Sequence, residues 1–167
     1  GWLDKFHAAA RFDAAAETGD IEEAAAVLDL MQNRSIPCNE LHYTSAINAC
    51  RNSDDKKRHV AAMYFLSRML ENAVLPDTVT FGSLMGSHRS APLGKIQRLL
   101  SEMDKIGIQP NALVVEETLA AVFEGALRNA WTVDDVAERI GHSSLERLQV
   151  ARSVLEGLKS QGVQLTQ

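Results

Sequence analysis

The side chains best suited to bind a metal or to attack a substrate are the five histidines and two cysteines of this chain. The histidines show no His-x-x-x-His spacing, and none stands near a cysteine at the spacing that a zinc site requires. Cys38 and Cys50 are too few and too far apart for a zinc site or a redox pair, so we expect packing thiols. The sequence has no glycine-rich phosphate loop, no Gly-x-Ser-x-Gly motif and no paired catalytic carboxylates. It therefore predicts a non-enzymatic protein without a metal or a cofactor.

Helix-on-helix packing is the architecture that the composition favours. The 167 residues are 46% hydrophobic but only 5% aromatic, and alanine is abundant. Small side chains let helices approach closely, which favours a helical fold over a β-sandwich. The sequence contains no apolar run close to the roughly 20 residues that a membrane span needs.

The charge balance and the chain start bear on partners and location. The net charge is -5, whereas nucleic-acid-binding proteins usually carry a basic surface. A basic face on an acidic body is still compatible with such a partner. The chain begins at Gly1 rather than methionine and shows no signal peptide. This start fits a processed organellar protein, a trimmed chain or part of a longer protein.

A proline-containing phrase that ends in Asn or Asp occurs three times, each time before a helix-like run. The phrases are SIPCNELHY, VLPDTVTF and GIQPNALVV. Their last residues before the new helix are Asn39, Asp77 and Asn111, which lie 38 and 34 positions apart. This period is typical of helical solenoids, and Asn and Asp are favoured helix N-caps.

Each repeat is predicted to contain a helix, a tight turn, a second helix and a linker. Asp20 and Glu23 are spaced as a variant capping box that opens one second helix. Pro92 suits a helix start, and Gly107 suits the position just past a helix end. Apolar stripes at helical spacing mark the second helices: Ile21, Ala24, Ala25, Leu28 and Met31; Ala62, Phe65, Leu66 and Met69; Leu93, Ile96, Leu99, Leu100, Met103 and Ile106. The sequence predicts an all-α, right-handed α-solenoid of stacked antiparallel helix pairs.

Several of these pieces agree in register with the pentatricopeptide repeat family, which the chain resembles. They are HYTSAINAC, GDIEEAAAVLDLM, TFGSLM and IGIQPN. The resemblance implies one helical-repeat domain over residues 1–167. Its repeats would span about 5–39, 40–77 and 78–111, with a degenerate fourth over 112–166 that carries an insertion near 126–145. Cap signals at Thr132 with Asp135 and at Ser143 with Glu146 predict either a short extra helix or a different packing at this end.

The resemblance also implies which residues would contact single-stranded RNA, because repeats of this family read one base each. The fifth and last residues of each repeat would face the base edge: Ala9 with Asn39, Thr44 with Asp77, and Gly82 with Asn111. Thr44 with Asp77 matches the pair associated with guanine, whereas the other two pairs have each lost one polar partner. The second residues would wedge between bases: Phe6, Leu41, Val79 and Leu113. The alternative is that a helix start simply needs an inward hydrophobe.

Basic residues near the ends of first helices are candidate phosphate contacts: Arg51, Lys57, Arg58 and Arg89. The alternative is a solvated turn, because the run of cations follows two aspartates. Two functions stay open at this point. One is a module in a mitochondrion or plastid that binds or processes single-stranded RNA. The other is a non-catalytic structural or protein-interaction subunit of an organellar complex.

Overall fold

The part of the chain that the structure, a computed structural model, describes is entirely α-helical. It covers the backbone of residues 5–89, 91–127 and 133–162, and the side chains of 7–89, 91–123 and 145–162. The helices in these ranges are α1 (Lys5–Thr18), α2 (Ile21–Asn33), α3 (Glu40–Asn52), α4 (Arg58–Glu71), α5 (Thr78–Ser87), α6 (Leu93–Ile106), α7 (Ala112–Leu127) and α8 (Val133–Ser160). The all-α prediction is confirmed. No helix within these ranges is both long and apolar enough to cross a bilayer.

The chain divides into two compact units, residues 1–87 and residues 88–167. In the first unit α3 is the central helix and packs against α1, α2, α4 and α5. In the second unit α7 packs against both α6 and α8. The boundary falls between α5 and α6, the two helices of the third predicted repeat.

The predicted apolar stripes supply much of the core of the first unit. Every stripe residue predicted on α4 is buried. On α2 the buried set is Ala24, Val27, Leu28 and Met31, so the prediction missed Val27, while Ile21 and Ala25 are only half-buried. The largest fully buried side chains of this unit include Tyr43, Phe12, Phe65 and Phe81. Burial of one such side chain contributes about 1.5–3 kcal/mol, so stacked first helices and their partners stabilise one another.

The residues that the sequence identifies as helix caps are found at helix ends. The Asn39 side chain accepts a hydrogen bond from the His42 N–H, and the Asn111 side chain accepts one from the Val114 N–H at 3.0 Å. Gly107 ends α6 in the left-handed conformation, with a φ of 81°. Pro92 lies one position before the first residue of α6.

The Asp20 cap differs in one respect from the capping box that its spacing predicts. Its carboxylate accepts from the Glu23 N–H at 2.9 Å, as expected. The Asp20 N–H, however, donates to the Ala15 carbonyl, and the Glu23 carboxylate accepts from Arg11 Nε at 2.6 Å. Glu23 therefore links α2 to α1 instead of closing the box.

A single long helix replaces the short extra helix expected near residues 126–145. α7 extends to Leu127, and α8 runs without a break for 28 residues from Val133 to Ser160. Ser143 lies inside α8, so its predicted role as a cap is wrong. No proline interrupts this stretch, and Val150, Val154 and Leu158 repeat at helical spacing on its buried face. Thr132, the other expected cap, lies outside the described residues.

Candidate nucleic-acid interface

Thr44 and Asp77, the pair that matches the guanine code, are connected through a third side chain. Thr44 lies in α3, and Asp77 immediately precedes α5. The Thr44 and Thr80 hydroxyl oxygens are 2.9 Å apart, and the Thr80 hydroxyl donates to Asp77 Oδ1, also at 2.9 Å. Asp77 Oδ1 accepts from the Thr80 N–H as well, at 2.8 Å. Residues from two successive predicted repeats thus form one polar cluster.

The Asp77 carboxyl is held in its charged form. Burial by itself would raise its pKa, but hydrogen bonds with the Thr80 N–H and hydroxyl, the Glu40 side chain and the Val79 N–H together outweigh burial, and the net pKa is lowered. Thr80 is fully buried, and Thr44 retains 8% exposure. The two threonines therefore lie beneath the surface, whereas Asp77 is half-buried.

Glu40 is a further acidic residue beside this pair, and it is not among the residues that the repeat pattern identifies. Glu40 lies one helical turn before Thr44, and Asp77 lies nearly one turn before Thr80. Because the Thr44 and Thr80 hydroxyls are in contact, the carboxyls of Glu40 and Asp77 lie side by side. A hydrogen bond with Asp77 raises the pKa of Glu40. Its spacing of four residues from Thr44 is the signal that identifies it.

The predicted base wedges that the structure describes point to solvent. Leu41 is 72% exposed and Val79 is 49% exposed, in helices that flank the Thr44–Asp77 pair, and Leu113 of the second unit is 38% exposed. The alternative of an inward hydrophobe is wrong for Leu41, whereas Val79 and Leu113 are partly exposed and partly buried. Buried Tyr43, Phe81 and Val115, two positions further on, take that role instead. Phe6 lies in α1, and its side chain is outside the described part of the chain.

The other predicted reading residues are not gathered into a comparable cluster. Ala9 is half-buried, and Asn39 is exposed and occupied as the cap of α3. Gly82 is buried inside α5, and Asn111 is exposed and caps α7. Their roles in base reading stay predictions.

Three of the four candidate phosphate ligands already have partners in the protein. Arg58 is 8% exposed and donates to the Arg51 and Ser53 carbonyls at 3.1 and 2.8 Å, which caps the end of α3. Arg89 forms an ion pair with Glu117 at 2.9 Å. The half-buried Arg51 side chain lies against α5, where a Cβ on Gly86 would be 2.8 Å from Arg51 Nε. Lys57 is exposed at the start of α4.

The two cysteines are packing residues. Cys50 is fully buried, and burial raises the pKa of its thiol to about 12, so the nucleophilic thiolate is scarce at neutral pH. Cys38 is half-buried, and burial raises the pKa of its thiol as well. Among the residues that the structure describes, no three His, Cys, Asp or Glu side chains are arranged to hold a metal ion.

Comparison with known proteins agrees with this geometry. The model of a family described as pentatricopeptide repeat-containing protein matches residues 11–132, more than half of the chain. The chain is also similar to the crystal structure of the PPR domain of Arabidopsis thaliana protein-only RNase P 1 in complex with tRNA. That likeness has a TM-score of 0.57 at 15% identity and covers 95% of this chain and 90% of that chain. A search of curated proteins found no match.

The likeness shows the fold class, an all-α solenoid of helical repeats, as the sequence predicts. The family match extends over the repeats that contain the caps, the exposed second residues and the Thr44–Asp77 pair. By this match, the chain belongs to the family of pentatricopeptide repeat-containing proteins.

Proposed function

We propose that this protein binds single-stranded RNA, with one base edge against Thr44 and Asp77 and with Leu41 and Val79 on either side of that base. The observation that carries the proposal is the exposure of these two hydrophobes, 72% and 49%, at equivalent positions of successive first helices. Exposing a large aliphatic side chain at a recurrent position contributes nothing to the core. It does offer an apolar surface on which the face of a base can lie.

The polar cluster between the two hydrophobes supplies the edge contacts. Asp77 is a charged acceptor, and Thr44 adds a hydroxyl oxygen that is linked to Asp77 by two hydrogen bonds through Thr80. Proteins of this fold read bases with two or three side chains per repeat, and the similar RNase P domain was crystallised with tRNA. From the family resemblance we also propose a location in a mitochondrion or plastid, which imaging of the tagged protein in cells tests.

Binding to short single-stranded RNA, followed by fluorescence anisotropy, tests the proposal. We expect Leu41→Ser and Val79→Ser each to weaken binding about fivefold, since loss of a stacking surface costs about 1 kcal/mol at the low end of measured values. Leu41 is mostly exposed and Val79 is about half exposed, so thermal stability is expected to change by less than about 1 kcal/mol.

Matched controls exist on α4. Val60 is 58% exposed and Leu70 is 42% exposed, so Val60→Ser and Leu70→Ser remove the same side-chain types from another helix. They are expected to leave RNA binding unchanged. If all four variants bind equally well, or if the unaltered protein binds no RNA at low salt, the proposal is wrong.

A protein-interaction role is the second candidate function. The exposed side chains of Val60, Tyr64 and Leu70 favour it, because they expose apolar surface on α4, a helix that contributes no residue to the polar cluster. A stable protein complex that survives ribonuclease and is lost in Val60→Ser, together with absent RNA binding, would replace the RNA proposal with this one.

A further inference from the structure

Thr80 has one hydroxyl proton, and the groups around it determine where that proton goes. Thr80 Oγ1 lies 2.9 Å from Asp77 Oδ1 and 2.9 Å from Thr44 Oγ1, and it accepts from the Asp77 N–H at 3.4 Å. A carboxylate oxygen can only accept, and the lowered pKa of Asp77 keeps it ionised at neutral pH. If the Thr80 proton pointed elsewhere, two oxygens with lone pairs would face each other at 2.9 Å, one of them charged. The Thr80 hydroxyl therefore donates to Asp77.

The direction of the Thr44 hydroxyl follows from this assignment. Because the single proton of Thr80 is used on Asp77, the hydrogen bond between the two threonines needs the proton of Thr44. Both lone pairs of Thr80 are then occupied, by the Asp77 N–H and by the Thr44 hydroxyl. Thr80 is fully buried, so water does not compete for these bonds. Thr44 presents only lone pairs to a bound base.

We propose that Thr80 is the positioning residue that sets base specificity at this site, by turning Thr44 into an obligate hydrogen-bond acceptor beside the Asp77 carboxylate. The inference deepens the proposed RNA binding and rests on it. The family pattern already associates the Thr44–Asp77 pair with guanine. The new element is Thr80, a buried residue of α5 that fixes the direction of the Thr44 hydroxyl proton.

The chemistry of base edges explains why this polarity discriminates. Guanine presents two adjacent donors, N1–H and the N2 amino group, which match two acceptors. Adenine presents one donor, the N6 amino group, next to the acceptor N1. A hydroxyl that is free to rotate can donate to adenine N1 while Asp77 accepts from N6. Because the Thr44 proton is used in the hydrogen bond to Thr80, it is not available to donate to adenine N1, and the site disfavours adenine.

The test compares RNA oligomers of about eight uridines that carry a single guanine or a single adenine. The readout is the ratio of the two dissociation constants, which a general loss of stability does not change. In Thr80→Val, a substitution of nearly equal shape, we expect the preference for guanine over adenine to fall at least about tenfold, with adenine binding itself becoming tighter. Thr80→Ser restores the hydroxyl and is expected to restore the preference.

Thr44→Val is the matched control, since it removes the hydroxyl instead of freeing it. It is expected to weaken guanine binding without any gain for adenine. If Thr80→Val binds RNA with an unchanged base preference, the inference is wrong and the proposed function stands. If the unaltered protein binds neither oligomer, both are wrong.

The hydrogen-bond directions are also testable without RNA, which covers the case in which Thr80→Val does not fold. In NMR spectra of the unaltered protein, the hydroxyl protons of Thr44 and Thr80 are expected to exchange slowly, with the Thr44 proton close to Thr80. A Thr44 hydroxyl proton that exchanges at the rate of an exposed threonine would overturn the inference.

Discussion

At the scale of single residues, two glycines share a backbone conformation but differ in their surroundings. Gly19, between α1 and α2, has a φ of 72°, and Gly107, after α6, has a φ of 81°. A Cβ on Gly19 would lie 2.8 Å from the Asn52 carbonyl carbon and oxygen, whereas a Cβ on Gly107 would meet nothing within 4 Å. The end of α3 is also tied to α1, where Asn52 Nδ2 donates to the Ala16 carbonyl at 2.7 Å. Gly19 therefore permits close packing of three helices.

The two glycines give a paired prediction. Gly107→Ala carries only the strain of the left-handed conformation, about 1 kcal/mol. Gly19→Ala adds a clash with backbone atoms, which cannot move as a side-chain tip can, so we expect about 2–4 kcal/mol in total. Chemical denaturation of both variants measures the difference. Equal losses would show that the contact with Asn52 relaxes without cost.

At the scale of helices, capping chemistry is the part of the fold that the sequence predicts best. Asn39 and Asn111 are identifiable from their place after a proline linker, and both accept a hydrogen bond from the first turn. Gly107 is identifiable by the same local reasoning. These features depend on residues three or four positions apart, so a single sequence is enough to find them.

Features that join distant residues were beyond sequence reasoning. Thr44 and Thr80 are separated by 36 positions, and neither alone shows that their hydroxyls meet. The hydrophobe at the start of each first helix fitted two roles, and only the 72% exposure of Leu41 decided against the inward one. The continuity of α8 was hidden because Ser143 with Glu146 resembles a helix start, although the backbone is helical on both sides of Ser143.

The start of α3 gives a prediction about pH. The Asn39 N–H donates to His42 Nδ1 at 3.1 Å, which requires a neutral imidazole, and burial lowers the pKa of His42. When folding lowers the pKa of a histidine, its neutral form stabilises the fold at any pH above the unfolded pKa of about 6.5. This contribution to the free energy of unfolding is lost as the pH falls from the unfolded pKa through the lowered pKa of the folded protein. Glutamine also closes a capping box but does not titrate. The stability of the unaltered protein should therefore fall relative to His42→Gln between about pH 7 and pH 5.

Thermal unfolding of the two proteins across this pH range measures the effect. The His42 ring also lies 5.5 Å from the Phe12 ring, so the substitution removes some packing at every pH. That loss separates the two curves of stability against pH by a constant amount, whereas titration of His42 changes the slope of the curve of the unaltered protein only. Parallel curves would contradict the prediction.

At the scale of the whole molecule, the charge limits how RNA can be held. Acidic residues number 22 against 17 lysines and arginines, and Arg58 and Arg89 are engaged with protein groups. The polar cluster proposed to read a base contains the Asp77 carboxylate, with the Glu40 carboxyl beside it, and negative charge there repels phosphate. Affinity must then come mainly from stacking and base edges, with few phosphates neutralised.

Salt dependence measures that balance. For single strands the slope of log K against log salt is about -0.7 for each neutralised phosphate, so one or two contacts give a slope between about -0.7 and -1.4. Affinity is then expected to fall by less than about tenfold between roughly 50 and 200 mM salt. If the exposed Lys57 contacts a phosphate, Lys57→Gln makes the slope of log K against log salt shallower by about 0.7. The exposed Lys159 at the end of α8 is the control, and Lys159→Gln is expected to leave that slope unchanged. A slope of about -4 or steeper would mean that phosphate contacts dominate, and the central role of Leu41, Val79 and the threonine network in RNA affinity would be wrong.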